Sequence, residues 1–142
     1  MTLHLIKLSV GTDSVADMKS WQSQRLKHLK AQGEKAELIH VTRHMPRRAE
    51  EILNGGSIYW VIKGFVLGRQ KIIDLRCVKK NGIDHCGIVY DKKFVTVRSQ
   101  PKKAFQGWRY FDAKDAPPDA QGDQGEDLPE TLKRELRELG LL

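Results

Sequence analysis

Cysteine is nearly missing from this sequence: Cys77 and Cys86 are the only two in 142 residues, which excludes the disulfide framework of a small secreted domain. Long apolar runs are missing as well. The stretch Leu3 to Val10 is interrupted by His4, Lys7 and Ser9, leaving it too short and too polar for a signal peptide or a membrane span. A cytoplasmic protein with no membrane partner is the expectation. Also lacking are a G-x-S-x-G elbow, a P-loop, a dinucleotide-binding glycine fingerprint and any internal repeat. Histidine and cysteine do not fall in a zinc pattern. His40 and His44 are four apart, but their segment reads as extended before turning at Pro46, and His85 and Cys86 are strand neighbours that point to opposite sides. Neither a metal site nor a cofactor is expected.

What the sequence has in quantity is positive charge, and it is unevenly placed. The net charge is +7, yet 22 basic residues face 11 acidic ones up to residue 116, whereas three face seven from 117 to 142. A body this basic attracts polyanions through its summed field and through counterion release. The hydrophobic content of 39% is enough for one domain with its own core.

Alternation over Leu3 to Val10 marks a first strand with both faces partly apolar. Ser14, with Asp17 three residues on, then opens a helix that carries Val15, Met18, Leu26 and Leu29 on one face, Trp21 on its shoulder and Gly33 at its stop. Residues 37–42 read as a second strand, and Pro46 starts a short helix that closes at Gly55 and Gly56. Strand patterns follow at 58–63, 66–78, 83–90, 94–98 and 105–111. Asn81-Gly82 suits a two-residue type I′ hairpin, which sets Lys80 against Ile83 and Cys77 against Cys86 as a non-hydrogen-bonded pair, either two reduced thiols or a redox-sensitive bridge. From 112 to 127 the composition turns to proline, aspartate and glycine, a flexible linker. A last amphipathic helix at 128–142 carries Leu132, Leu136 and Leu139 as a stripe to dock on its own body, a second copy or another protein.

The candidate site lies mainly between His40 and Gln70. Arg43, Arg47 and Arg48 supply guanidinium forks that pair with phosphate in two places at once, and Gly55 and Gly56 offer unshielded backbone. Internal pairing of Arg47 with Glu50 or Glu51, and of Arg48 with Glu51, competes with that role. In SIYWVIKG, parity sends Ile58, Trp60 and Ile62 to the core and leaves Tyr59 and Lys63 for a working face, one to stack on a base and one to hold a phosphate. Arg69 and Lys71 fall on the otherwise apolar parity of the next strand. Either that face lines a charged groove or, the favoured reading, Gly68 marks a bulge that presents Arg69 and Gln70 at its edge. PKKAFQGWRYF interleaves Phe105, Trp108 and Tyr110 with Lys102, Lys103 and Arg109, as nucleic-acid surfaces do. The reading is a non-catalytic module for RNA or another polyanion. The alternative is an enzyme acting on an anionic small molecule or nucleotide, with His40 and Glu50 or Glu51 carrying protons.

HVTRHMPRRAEEIL, GGSIYWVIKG, RQKI, FQGWRY and LPETLKRELRELGLL together resemble a bacterial family of short proteins designated domain of unknown function 1489. The likeness covers nearly the whole chain and implies one coherent fold without implying a chemistry. A looser, architectural likeness is to the pseudouridine-synthase-and-archaeosine-transglycosylase (PUA) barrel, whose members hold RNA or modified bases between helix and sheet. The expected fold is therefore α+β: a small mixed or antiparallel PUA-like barrel over 1–111 with two or three packed helices, then the linker and the C-terminal helix.

Overall fold

The computed structural model describes residues 2–120. In chain order these form β1 (Leu3–Leu8), α1 (Val15–Ala31), β2 (Leu38–Thr42), α2 (Ala49–Leu53), β3 (Ser57–Ile62), β4 (Phe65–Lys80), β5 (Ile83–Tyr90), β6 (Val95–Pro101) and β7 (Trp108–Asp112). The class is α+β, as the sequence indicates. The rest of the expected linker and the helix at 128–142 lie outside the described residues.

One mixed, seven-stranded sheet runs β2-β5-β4-β3-β1-β7, with β6 pairing β4. Only β1 and β3 are parallel, because the chain between them crosses over through α1, β2 and α2. The sixteen-residue β4 is shared: its first part pairs β3 and β6, its second part β5. The sheet does not close into the barrel expected from the sequence. Between the end strands β2 and β7 the connection is made by side chains: the Trp108 indole N–H donates to the His44 carbonyl, and the Tyr110 hydroxyl accepts from the backbone N–H of Arg47 and Arg48. A loop tied by side chains stands where ladder bonds would complete a barrel.

Local chemistry explains the elements. Ser14 caps α1, its Oγ accepting from the Asp17 N–H at 3.0 Å, while the Asp17 carboxylate accepts from Asp13 N–H at 3.0 Å, a reciprocal cap. Asn81 (φ 54°) and Gly82 (φ 76°) make the left-handed β4–β5 turn, and Cys77 does oppose Cys86. The β3–β4 connection is a second such turn, Lys63 (φ 51°) and Gly64 (φ 85°). Lys63 thus occupies a turn rather than a strand face.

The bulge is real, and its extra residue is Leu67: Trp60 opposes Gly68 while Val61 opposes Val66. A Cβ on Gly68 would stand 2.1 Å from the Phe94 ring, so the glycine is required by that close approach. Parity flips across the bulge. Gln70 and Ile72 therefore enter the main core, and Arg69 and Lys71 leave it.

Two apolar layers result. On one face Leu5, Ile58, Trp60, Ile62 and Ile88 pack beneath Met18 of α1 and Ile52 of α2. On the other, Ile6, Tyr59, Val61, Val66, Val97 and Phe111 form a second core. Residues 113–120, the start of the expected linker, lie against this second layer. Pro117 is buried, Arg98 N–H donates to the Pro118 carbonyl at 2.9 Å, and Asp119 bridges to Val97.

Candidate functional site

Where β1 ends and turns toward α1, the structure holds a cavity of about 380 Å³. Its floor is Trp60 of β3 and Tyr90 of β5, one wall is His40 and Ile39 of β2, the opposite wall is Met18, Trp21 and Gln22 of α1, and its rim runs from Lys7 to Thr12. Trp60 stands edge-on to both His40 and Tyr90, with ring centroids 6.0 and 5.7 Å apart. Trp21 is 53% exposed at the mouth, an unusual position for a tryptophan on a helix that packs against a core.

A buried amide network fixes this floor. The Gln70 side-chain carbonyl accepts from Gln22 and from the Trp60 indole, each at 2.9 Å, while its NH₂ group donates to Gln22 at 2.8 Å and to the Asp91 carbonyl at 2.9 Å. Gln70 is completely buried and uses two donors and two acceptances. It is therefore a positioning element for Trp60 and α1, where the sequence suggested an exposed ligand contact. Burial pushes the Tyr90 hydroxyl up to about 12.

Among the described residues, His40 and Lys7 bring polar groups to the cavity that find no partner. His40 Nε2 is buried and bonds to nothing among the described residues. Burial, reinforced by the charge of Lys7, pulls the His40 imidazole down to about 4, so at neutral pH it is uncharged and offers one N–H and one lone pair. Lys7, half-buried, is also held below the usual lysine range by burial. Among the described residues no carboxylate lines the cavity and Lys7 forms no ion pair. The hydroxyls of Ser9 and Thr12 hydrogen-bond to each other at the rim.

Lys7 also links the cavity to a surface. It is the register partner of Trp60 on one side and Trp108 on the other, so a row Trp60–Lys7–Trp108 runs across three strands. Beyond Trp108 lies the Tyr110 ring, 5.0 Å away, with the Arg48 guanidinium 5.6 Å from its centroid. Arg47 is exposed in the same segment, which Tyr110 anchors.

The other candidates do not join this row. Tyr59 is 4% exposed, packed edge-on to His4 and Phe111 in the second core, so it presents no stacking face. Arg69 sits on that same side, its fork closed by the Asp119 carboxylate at two distances of 2.7 Å and its third contact on Ser57 Oγ at 3.0 Å. Arg109 lies over Phe105, Arg43 donates to the Asp84 carbonyl, and Lys63 pairs with Asp13 at 3.1 Å. Gly56 is buried and its N–H is used by the Ile52 carbonyl at 2.8 Å, while Gly55 is a left-handed residue (φ 88°) ending α2. Glu51 is clasped by Arg48 at 2.6 and 2.7 Å, Glu50 is exposed, and neither lines the His40 cavity. The single groove foreseen from the sequence is thus divided, with Trp108, Arg47 and Arg48 gathered and the rest dispersed. Lys7, Trp21, Gln22 and Tyr90 were missed. Lys7 had a signal, a lysine on the same strand parity as Leu3 and Leu5; the others become visible only when α1 and β5 converge.

Among the described residues no group of three or more histidine, cysteine, aspartate or glutamate side chains could hold a metal, and no helix is long and apolar enough to cross a membrane. What fold and site define is an α+β protein with an aromatic-walled cavity that holds a lysine and a neutral histidine. The chain belongs to the family described as Protein of unknown function (DUF1489), whose model matches residues 5–142. No curated protein and no solved structure matches it.

Proposed function

We propose that the protein is a non-catalytic RNA-binding module that admits one unstacked base of a single strand to the cavity. The observation that carries this reading is the row from Trp21 and Trp60 through Lys7 to Trp108 and on to the Tyr110-anchored segment of Arg47, in which Lys7 and Arg47 have no carboxylate partner among the described residues. A base splayed out of its strand stacks on indole and is read along its edge by hydrogen bonds. Trp21 supplies the stacking plane and His40 Nε2 an edge contact, while Arg47 and the basic body hold flanking phosphates. The reading carries with it a cytoplasmic location, where such strands are found. A nucleotide-directed enzyme would use the same His40, but neither glutamate stands beside it.

The test is fluorescence anisotropy of labelled single-stranded RNA, titrated at several salt concentrations with wild type and Trp21→Ala. Affinity should fall as salt rises, and the variant should lose roughly 5- to 150-fold, the value of about 1–3 kcal/mol of base–aromatic stacking. Absence of binding at low salt, or a variant as tight as wild type, would remove the proposal.

A further inference from the structure

The chemistry of the cavity specifies more than a base. The half-buried arginines of the sheet meet carboxylates, Arg69 that of Asp119 and Arg76 those of Glu37 and Asp74. Among the described residues Lys7 faces a lining without any acid, so an occupant that brings a negative charge balances it. Around Lys7 the remaining polar groups are donors or can become donors. Its ammonium brings three N–H bonds, and of the Ser9 and Thr12 hydroxyl pair only one proton is consumed in their mutual bond. Across the cavity the walls are rings, with the neutral His40 imidazole between them. A volume of about 380 Å³ lies near the small end of ligand pockets, room for one nucleotide-sized molecule.

We infer that the cavity is a site for a nucleoside 5′-monophosphate group, its base against Trp21 and Trp60 beside His40, its phosphomonoester on Lys7 with the Ser9 and Thr12 hydroxyls. This rests on the RNA-binding reading and names the part of the strand that enters, the 5′-phosphorylated end. The same group is carried by a free mononucleotide.

Isothermal titration distinguishes the sources. Adenosine and uridine are compared with their 5′-monophosphates, and a short RNA bearing a 5′-hydroxyl with the same RNA bearing a 5′-phosphate, for wild type and Lys7→Met. The phosphate should tighten wild-type binding at least tenfold, and Lys7→Met should erase that increment. An increment with the oligonucleotide identifies a strand end; an increment confined to mononucleotides identifies a free nucleotide. Equal affinity with and without phosphate in wild type, or an increment that survives in Lys7→Met, overturns the inference. The wild-type comparison decides even if the variant does not fold. Salt-dependent binding of the 5′-hydroxyl RNA without a phosphate increment would overturn this inference alone and leave the RNA reading standing.

Discussion

Replacing Gln70 with methionine, close in volume but without an amide, removes all four hydrogen bonds that join β4 to α1, to Trp60 and to the Asp91 carbonyl. The Trp60 indole N–H and the Gln22 amide, both on residues 4% exposed, are then left buried without partners, while the half-buried Asp91 carbonyl loses its donor. At about 1–3 kcal/mol for each orphaned group the loss is about 2–6 kcal/mol, and for a chain of this length each kcal/mol lowers Tm by roughly 3 °C. Gln22→Met alone should cost less, about 1–3 kcal/mol, because Gln70 keeps Trp60 and Asp91. The decisive variant is the double one. With both amides gone, the indole N–H and the half-buried Asp91 carbonyl remain unpaired but the Gln22 amide no longer does, so the double should be more stable than Gln70→Met by about 1–2 kcal/mol. Urea unfolding of the four proteins, followed by far-UV circular dichroism, measures the cycle. A double variant whose cost equals the sum of the two single costs would refute the claim that the amides act as one satisfied unit.

Gly56→Ala should be strongly destabilising, on the order of 3 kcal/mol, since the packing leaves no side chain room; its Cβ would stand 2.2 Å from the Leu3 carbonyl oxygen and 2.4 Å from that of Ile52. Thermal unfolding checks this, and a Tm within a few degrees of wild type would contradict it. His40 takes up its proton at about 4 in the folded protein but near 6.5 when unfolded, so the unfolded chain binds more protons between those values. Stability should therefore fall as pH drops from 6.5 toward 4, by roughly 2 kcal/mol after allowing for partial exposure, and His40→Gln should lack that component. The urea midpoints of both proteins at pH 7 and 4.5 test the sign. Cys77 is exposed whereas Cys86 is buried and its thiol is pushed up to about 11, chiefly by burial. Maleimide should thus label one cysteine in the native protein and two after denaturation, as read by mass spectrometry; two native labels would show that the β4–β5 hairpin opens readily.

Local order was legible in the sequence wherever a short-range rule governs it. Ser14 with Asp17, Asn81 with Gly82 and the parity of Ile58, Trp60 and Ile62 each specify their own geometry, and the pairing of Cys77 with Cys86 follows from the turn by counting. Gly68 was read correctly as a bulge marker, though what the parity flip delivers depends on the partner strands: Gln70 goes inward to Gln22 and Arg69 outward to Asp119. Those partners are 48 and 50 residues distant, beyond the reach of any local pattern. Tyr59 misled because parity shows only that it leaves the main core; nothing local reveals that β6 and residues 113–120 cover the other face with a second one. Of the site itself His40 was visible as a candidate, whereas its Lys7 neighbour required the parallel pairing of β1 with β3, made possible by a long crossover. Net charge suggests polyanions as a ligand class but says nothing of a place, since charge is a property of the whole surface and a cavity is a property of three or four converging elements.

Photo-crosslinking tests the central claim most directly. Single-stranded RNA substituted with 4-thiouridine, irradiated in complex with the protein and mapped by mass spectrometry, should attach to residues that line the cavity and its approach, Trp21, Trp60, Tyr90 and Trp108 foremost. Crosslinks confined to Arg69, Arg109 or the β4–β5 hairpin, with none in or beside the cavity, would contradict it.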